Sequence, residues 1–174
     1  MLTIKRQQLK EVINSSNYQL IQESVNNKTG ALYGTEFDIF LCHSTSDFEE
    51  IKALKAYFLK LGKKAYVAEI DDPLLNYKKV DYTTAKRLQE RMQCSKELYY
   101  VLSKNSQIST WMPWELGFFD GIKGSGKIQV LPIIDKTETE ILNFKGHEYL
   151  ELYTKDGTSI DHLKRLSLIE RTML

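Results

Sequence analysis

Phe37-Asp38-Ile39-Phe40-Leu41-Cys42-His43-Ser44 decides the fold. Its first six residues are mostly apolar. They read as a short strand buried on both faces, because a strand packed between two helical layers loses the polar–apolar alternation. Ser44 to Asp47 then supply turn and cap residues. From Phe48 to Leu61 the apolar side chains Phe48, Ile51, Leu54, Phe58 and Leu61 recur at helical spacing, and Gly62 ends the run. The same rhythm repeats downstream. Lys64 to Ala68 is a second strand, and Glu69 to Thr83 a long loop containing Pro73. Thr84 to Ser95 is a second helix, Glu97 to Ser103 a third strand, Trp111 to Ile122 a third helix and Ile128 to Ile134 a fourth strand. A weak fifth strand is expected at His147 to Leu152 and a closing helix at Asp161 to Arg171. Strands alternating with helices imply βαβ units, right-handed crossovers and a parallel α/β sheet. Residues 3–14 form a short amphipathic helix in this reading. Residues 1–34 are an N-terminal helical extension, and 35–174 the α/β domain.

In such a sheet the ligand crevice lies beyond the carboxyl ends of the strands. Three segments converge there: Cys42-His43-Ser44, Glu69-Ile70-Asp71-Asp72, and the loop from Ser103 to Trp111. The third leads into Ser109-Thr110-Trp111-Met112-Pro113-Trp114-Glu115-Leu116-Gly117, which holds both tryptophans of the chain. Ser109 or Thr110 can cap a helix there, and Pro113 fits only its first turn. Trp111 and Glu115 are then i and i+4 and share one face. An indole beside a half-buried acid suits a cationic or sugar-like ligand. The same pattern also fits a core helix whose glutamate only complements a helix N-terminus.

Several chemistries are excluded. Gly121-Ile122-Lys123-Gly124-Ser125-Gly126-Lys127 imitates a phosphate loop, but Ile128 stands where Ser or Thr would bind magnesium, and the segment runs from helix to strand. It reads as a Gly-rich turn. Cys42 and His43 are strand neighbours pointing to opposite sides, which disfavours a nucleophilic Cys–His pair. His43, His147, His162 and the two cysteines show no metal-ligand spacing. A phosphoacceptor domain of this topology needs an Asp at the end of the third strand, where the chain has Leu98-Tyr99-Tyr100-Val101-Leu102-Ser103. Tyr77-Lys78-Lys79 fits either a phosphate contact or plain solvation. The 174 residues suffice for one domain with a core, and the net charge of +1 argues against nucleic acid as a partner. No run reaches membrane-spanning length, no signal peptide opens the chain, and two cysteines make no disulfide framework. A cytoplasmic protein without a membrane partner is expected.

Phe37 to Ser44 resembles the opening strand motif of TIR domains (Toll/interleukin-1 receptor homology). Ser109-x-Trp111-x-x-x-Glu115-Leu116 resembles the helix that carries the catalytic glutamate in NAD⁺-cleaving TIR domains. With Gly146-His147-Glu148-Tyr149-Leu150 downstream, the chain is similar to small bacterial TIR proteins of the antiphage type, including those of Thoeris systems. The resemblance covers about residues 35 to 155. It implies a flavodoxin-like five-stranded parallel sheet and cleavage of the nicotinamide–ribose bond of NAD⁺. NAD⁺ would be the substrate, with no cofactor or metal. The product would be ADP-ribose, a cyclic isomer or a conjugate, which signals to an effector.

Loss of nicotinamide leaves an oxocarbenium-like sugar. A carboxylate against the ribose stabilises the growing positive charge, and Glu115 is the candidate catalytic residue. Because nicotinamide leaves as a neutral molecule, no general acid is required. Cys42, His43, Ser44, Glu69, Asp71 and Trp111 are the expected substrate contacts. Relatives commonly carry Ser at position 42 and Asp at position 68, where this chain has Cys42 and Ala68. TIR catalysis often needs assembly, with the loop 69–83 of one subunit completing the site of another, so TIR–TIR self-association is expected. The competing readings are a non-catalytic TIR module that binds other TIR domains and a nucleoside deoxyribosyltransferase-like enzyme.

Overall fold

The computed structural model describes residues 4–76, 81–134 and 147–154. The expectations at Tyr77 to Lys79, at Gly146 and for the helix at Asp161 to Arg171 lie outside the described residues. The strands are β1 (Ile4–Lys5), β2 (Phe37–Cys42), β3 (Ala65–Tyr66), β4 (Ser95–Leu102) and β5 (Ile128–Ile134). All pair in parallel, in the order β1-β5-β4-β2-β3. The helices are α1 (Arg6–Val12), α2 (Ser16–Asn27), α3 (Phe48–Lys60), α4 (Ala68–Asp71), α5 (Tyr82–Gln93) and α6 (Trp111–Lys123). The sheet is a five-stranded parallel α/β sheet, as the alternation implies.

The fifth strand, however, is not at His147 to Leu152. It is β1, whose Ile4 lies opposite Ile133 at the sheet edge. Two residues are too few to display a period, so this strand left no pattern to read. Glu148–Tyr153 forms a 3₁₀ turn instead, with the Leu150 N–H bonded to the His147 carbonyl at 3.0 Å. Leu150 is fully buried while Leu152 is 67% exposed, so these residues do not alternate as a half-buried strand would. The N-terminal residues pack into the same fold. Leu9 and Ile21 enter the core cluster that contains Ile39 and Leu54.

The central strands sort their side chains by parity. Ile39 and Leu41 of β2, Tyr99 and Val101 of β4, and Leu131 and Ile133 of β5 face the layer of α1, α2 and α3. Phe40 and Cys42, Leu98 and Tyr100, and Ile128 and Val130 face α5 and α6, through Leu88, Met92, Trp111, Met112, Leu116 and Phe119. The 3₁₀ turn at Glu148–Tyr153 closes the second layer with Leu150. At the end of α3, Gly62 adopts φ +70°, a left-handed geometry that glycine takes without strain.

The loop expected from Glu69 to Thr83 begins as α4. This turn forms because Asp71 Oδ2 accepts from the Val67 N–H at 2.7 Å, while the Ile70 and Asp71 N–H groups bond the Val67 carbonyl. Gly30 packs against it so closely that a Cβ would stand 2.8 Å from the Asp71 carbonyl oxygen. Arg91 ties the same region together. It bonds both Asp72 oxygens, at 2.8 and 3.0 Å, and the carbonyls of Ala31 and Leu32.

Candidate active site

The site is assembled on α6 and the carboxyl end of β2. Trp111, Met112, Glu115, Leu116 and Phe119 form the buried stripe of α6, so Glu115 is a carboxyl set within an otherwise apolar face. The helix begins at Thr110, but Ser109 does the capping: its Oγ accepts from the Met112 N–H at 3.3 Å. Pro113 sits in the first turn, where its missing N–H costs nothing. Glu115 is only 6% exposed. Burial pushes its carboxyl up to about 7, against a bond from Cys42 and the charge of His43, which lower it, and with the charge of Glu69, which raises it.

Cys42 ends β2 and is fully buried. Its thiol donates to the Met112 carbonyl oxygen at 3.6 Å and stands beside the Glu115 carboxyl, whose pKa it lowers. Burial, followed by that acid, holds the thiol well above its usual range, so Cys42 is a protonated donor and not a nucleophile. His43 turns away from the thiol. Its Nδ1 lies 2.7 Å from the Leu41 carbonyl oxygen and its Nε2 lies 3.0 Å from Glu69 Oε2. Both nitrogens face acceptors, which fits a doubly protonated ring. Burial alone would lower its pKa. The charge and hydrogen bond of Glu69 outweigh this and raise it to about 9. Burial would raise Glu69, and His43 more than offsets that and brings it down. A fixed imidazolium–carboxylate pair therefore stands beside Glu115.

Ser44 is 5% exposed and its Oγ accepts from the Ser46 N–H at 3.4 Å, capping the 3₁₀ turn at Thr45–Asp47. Trp111 is 9% exposed and meets Trp114 edge to face at 5.5 Å, and Trp114 stacks on Phe118. Trp111 is a wall of the site more than an open plate. Asp71 does not join the site. Its carboxylate pairs with Lys55 Nζ at 2.6 Å and lines a cavity of about 220 Å³ with Ile21, Ala31 and Ala65. The reason is the helical turn: residues two apart on a helix face different ways, so α4 sends Glu69 to His43 and Asp71 to α3.

Two features escaped the sequence reading. Buried Asp47 accepts from Ser103 Oγ and from Asn105 Nδ2 at 2.6 Å, clasping the loop after β2 to the loop after β4. Tyr100, the cross-strand neighbour of Cys42, has its hydroxyl beside that of Tyr149. Both depend on pairings across 49 or more residues, although Ser103 stands at a strand end where a polar contact could be sought. Among the described residues no group of His, Cys, Asp and Glu is arranged to hold a metal ion.

The chain is 46% identical over 117 residues to a Bacillus cereus (strain MSX-D12) protein named "Probable 3′ cyclic ADP-D-ribose synthase ThsB′". That identity joins a parallel sheet on which the Phe37–Ser44 strand and the Trp111–Glu115 helix meet at one rim. The chain is a relative of this named cyclic ADP-D-ribose synthase. The match covers 67% of the chain and 58% of that relative. A Methanobrevibacter olleyae protein named "Probable 2′ cyclic ADP-D-ribose synthase TcpO" is 28% identical over 141 residues, covering 78% of the chain and 37% of that protein. The chain thus spans about half the length of the curated relatives it matches. The solved TIR domain of the Toll-related receptor TRR-2 from Hydra magnipapillata aligns with TM-score 0.45 at 20% identity, over 64% of this chain and 79% of that one. No family model matches the chain.

Proposed function

We propose that this TIR domain cleaves the nicotinamide–ribose bond of NAD⁺ and closes the ADP-ribosyl group into a cyclic signal for an effector in antiphage defence. The observation that carries the reading is Glu115, a buried carboxyl poised near neutrality at the rim of a parallel sheet. The names of the two relatives, both cyclic ADP-D-ribose synthases, support the same chemistry. NAD⁺ is the substrate, and no further cofactor is invoked.

As the C–N bond breaks, its electron pair passes to the ring nitrogen and neutralises the pyridinium. Positive charge grows on the sugar carbon, and the ionised Glu115 stabilises it from a site where burial strengthens the interaction. An oxygen nucleophile then bonds to that carbon, and its proton passes to the Glu115 carboxylate. The His43 imidazolium and the Cys42 thiol hold this carboxylate partly ionised against burial and the charge of Glu69. Trp111 walls the site, and the backbone at Cys42 to Ser44 is the expected contact for the diphosphate.

Purified protein should consume NAD⁺ with release of nicotinamide, and Glu115→Gln should abolish this while folding normally. If wild type and variant both leave NAD⁺ intact at high concentration, a TIR interaction module is the better reading. The domain works in the cytoplasm by self-association, with the segment following α4 completing a neighbour's site. Specific activity should then rise with protein concentration, and a rate strictly proportional to concentration would count against assembly. No helix among the described residues is long and apolar enough to cross a membrane.

A further inference from the structure

The Glu148–Tyr153 turn plays no part in the bond cleavage described above, yet it is pinned to the site from three sides. Leu150 is fully buried in the same cluster as Cys42, Trp111 and Met112. The Tyr153 hydroxyl donates to Asp120 Oδ2 at 2.9 Å, on the helix that carries Glu115. Between these anchors stands Tyr149, 38% exposed. Its hydroxyl lies 2.9 Å from His147 Nδ1 and beside the Tyr100 hydroxyl. Tyr100 is itself 1% exposed and lies opposite Cys42 in the sheet register, and the Cys42 thiol bonds the Met112 carbonyl of the helix that carries Glu115. The Tyr149 hydroxyl is close enough to Cys42 to be perturbed by it. A half-exposed aromatic ring is thus held by a hydrogen bond to His147 and by the Tyr100 hydroxyl beside it, at the outer edge of the buried carboxyl's surroundings. A side chain so fixed on a 3₁₀ turn has a structural reason to be rigid, and solvent on its other side.

We propose that Tyr149 sets the fate of the sugar cation, excluding water from it so that a hydroxyl of the same ADP-ribosyl group is the nucleophile that captures it. This inference rests on the NAD⁺-cleavage reading above. The two outcomes differ only in the nucleophile. In ring closure, a hydroxyl oxygen of the ligand forms the new bond to the anomeric carbon as the bond to nicotinamide breaks, and its proton goes to Glu115 and then to solvent. In hydrolysis, a water oxygen forms that bond and its proton takes the same route. Neither outcome needs an oxidant or reductant. A rigid ring at the mouth favours the first by occupying the space from which water would attack. Its hydroxyl contributes by holding the ring in place through Tyr100 and His147.

The test is the ratio of cyclic to linear ADP-ribose formed from NAD⁺, separated by chromatography and read at equal NAD⁺ consumption, so that total rate drops out. Tyr149→Ala should lower the cyclic-to-linear ratio at least five-fold. Tyr149→Phe keeps the ring and should lower it less. Tyr100→Phe, which removes the hydroxyl beside that of Tyr149, should resemble Tyr149→Phe. If the ratio in both Tyr149 variants stays within two-fold of wild type, the inference fails while NAD⁺ cleavage stands. Wild-type protein that makes only linear ADP-ribose overturns it equally. Wild-type protein that leaves NAD⁺ intact removes the cleavage reading and this inference together. Should Tyr149→Ala fail to fold, Tyr149→Phe and Tyr100→Phe decide: an unchanged ratio in both refutes the role of the hydroxyl contacts.

Discussion

Glu115→Gln should change stability in a way that depends on pH. The carboxyl is raised from 4.5 to about 7 in the folded protein, first by burial. Between those values the native state holds a proton that the unfolded chain releases, so the wild type loses stability as pH rises through this window. A shift of this size corresponds to about 3 kcal/mol, at about 1.4 kcal/mol per unit. Glutamine has the same shape and keeps an acceptor for the Cys42 thiol, but it carries no proton to lose. Near pH 4 the two proteins should therefore differ little. Above pH 7.5 the variant should exceed the wild type by about 3 kcal/mol more than at pH 4. For a chain of this size that corresponds to a melting-temperature gap of about 6–12 °C. Urea unfolding of both proteins at pH 4, 5.5, 7 and 8 measures the difference directly. Other titrating groups are common to both proteins and largely cancel in it. A difference that stays flat within about 0.5 kcal/mol across this range would refute the claim that Glu115 is buried near neutrality.

Glu69→Gln removes the charge that outweighs burial at His43. The His43 pKa should fall from about 9 to near or below its ordinary value of 6.5, as followed by NMR titration of the ring protons. The pair's contribution to stability is full between the ordinary values of the two groups. It is lost as pH rises through about 9 on the histidine side, and as pH falls through the lowered Glu69 value on the acid side. In Glu69→Gln, the loss of stability between pH 6.5 and 9 should flatten. Cys42→Ala takes away the thiol that lowers the Glu115 pKa, so the midpoint of the pH–rate profile for NAD⁺ cleavage should move to higher pH, and Cys42→Ser should restore it. Asp47→Ala leaves Ser103 Oγ and Asn105 Nδ2 without their buried acceptor and should cost about 3 kcal/mol in urea unfolding, while Asp47→Asn should cost less.

The fold was legible where apolar runs were long enough to carry a period. The strand at Phe37–Cys42, the helix at Phe48–Lys60 and the strand at Ile128–Ile134 follow from spacing and from glycine or proline punctuation. The edge strand Ile4–Lys5 was not legible, because two residues define no period and only pairing with Ile133 makes them a strand. The helical turn of α4 was hidden by Pro73 and the acids around it, which read equally well as loop residues. That turn is the step that separated Glu69 from Asp71.

Sequence by itself determined that the chain builds a parallel α/β sheet and that Glu115 shares a helical face with Trp111, since both follow from residue spacing along one segment. Only tertiary structure decided what that carboxyl meets. Cys42 at the end of one strand, the His43–Glu69 pair joining the end of β2 to α4, and Tyr149 of the 3₁₀ turn beside Tyr100 of β4 each depend on where separate segments come to rest. A carboxyl's charge state is set by its burial and its neighbours through space, and neither is written in the order of residues around it.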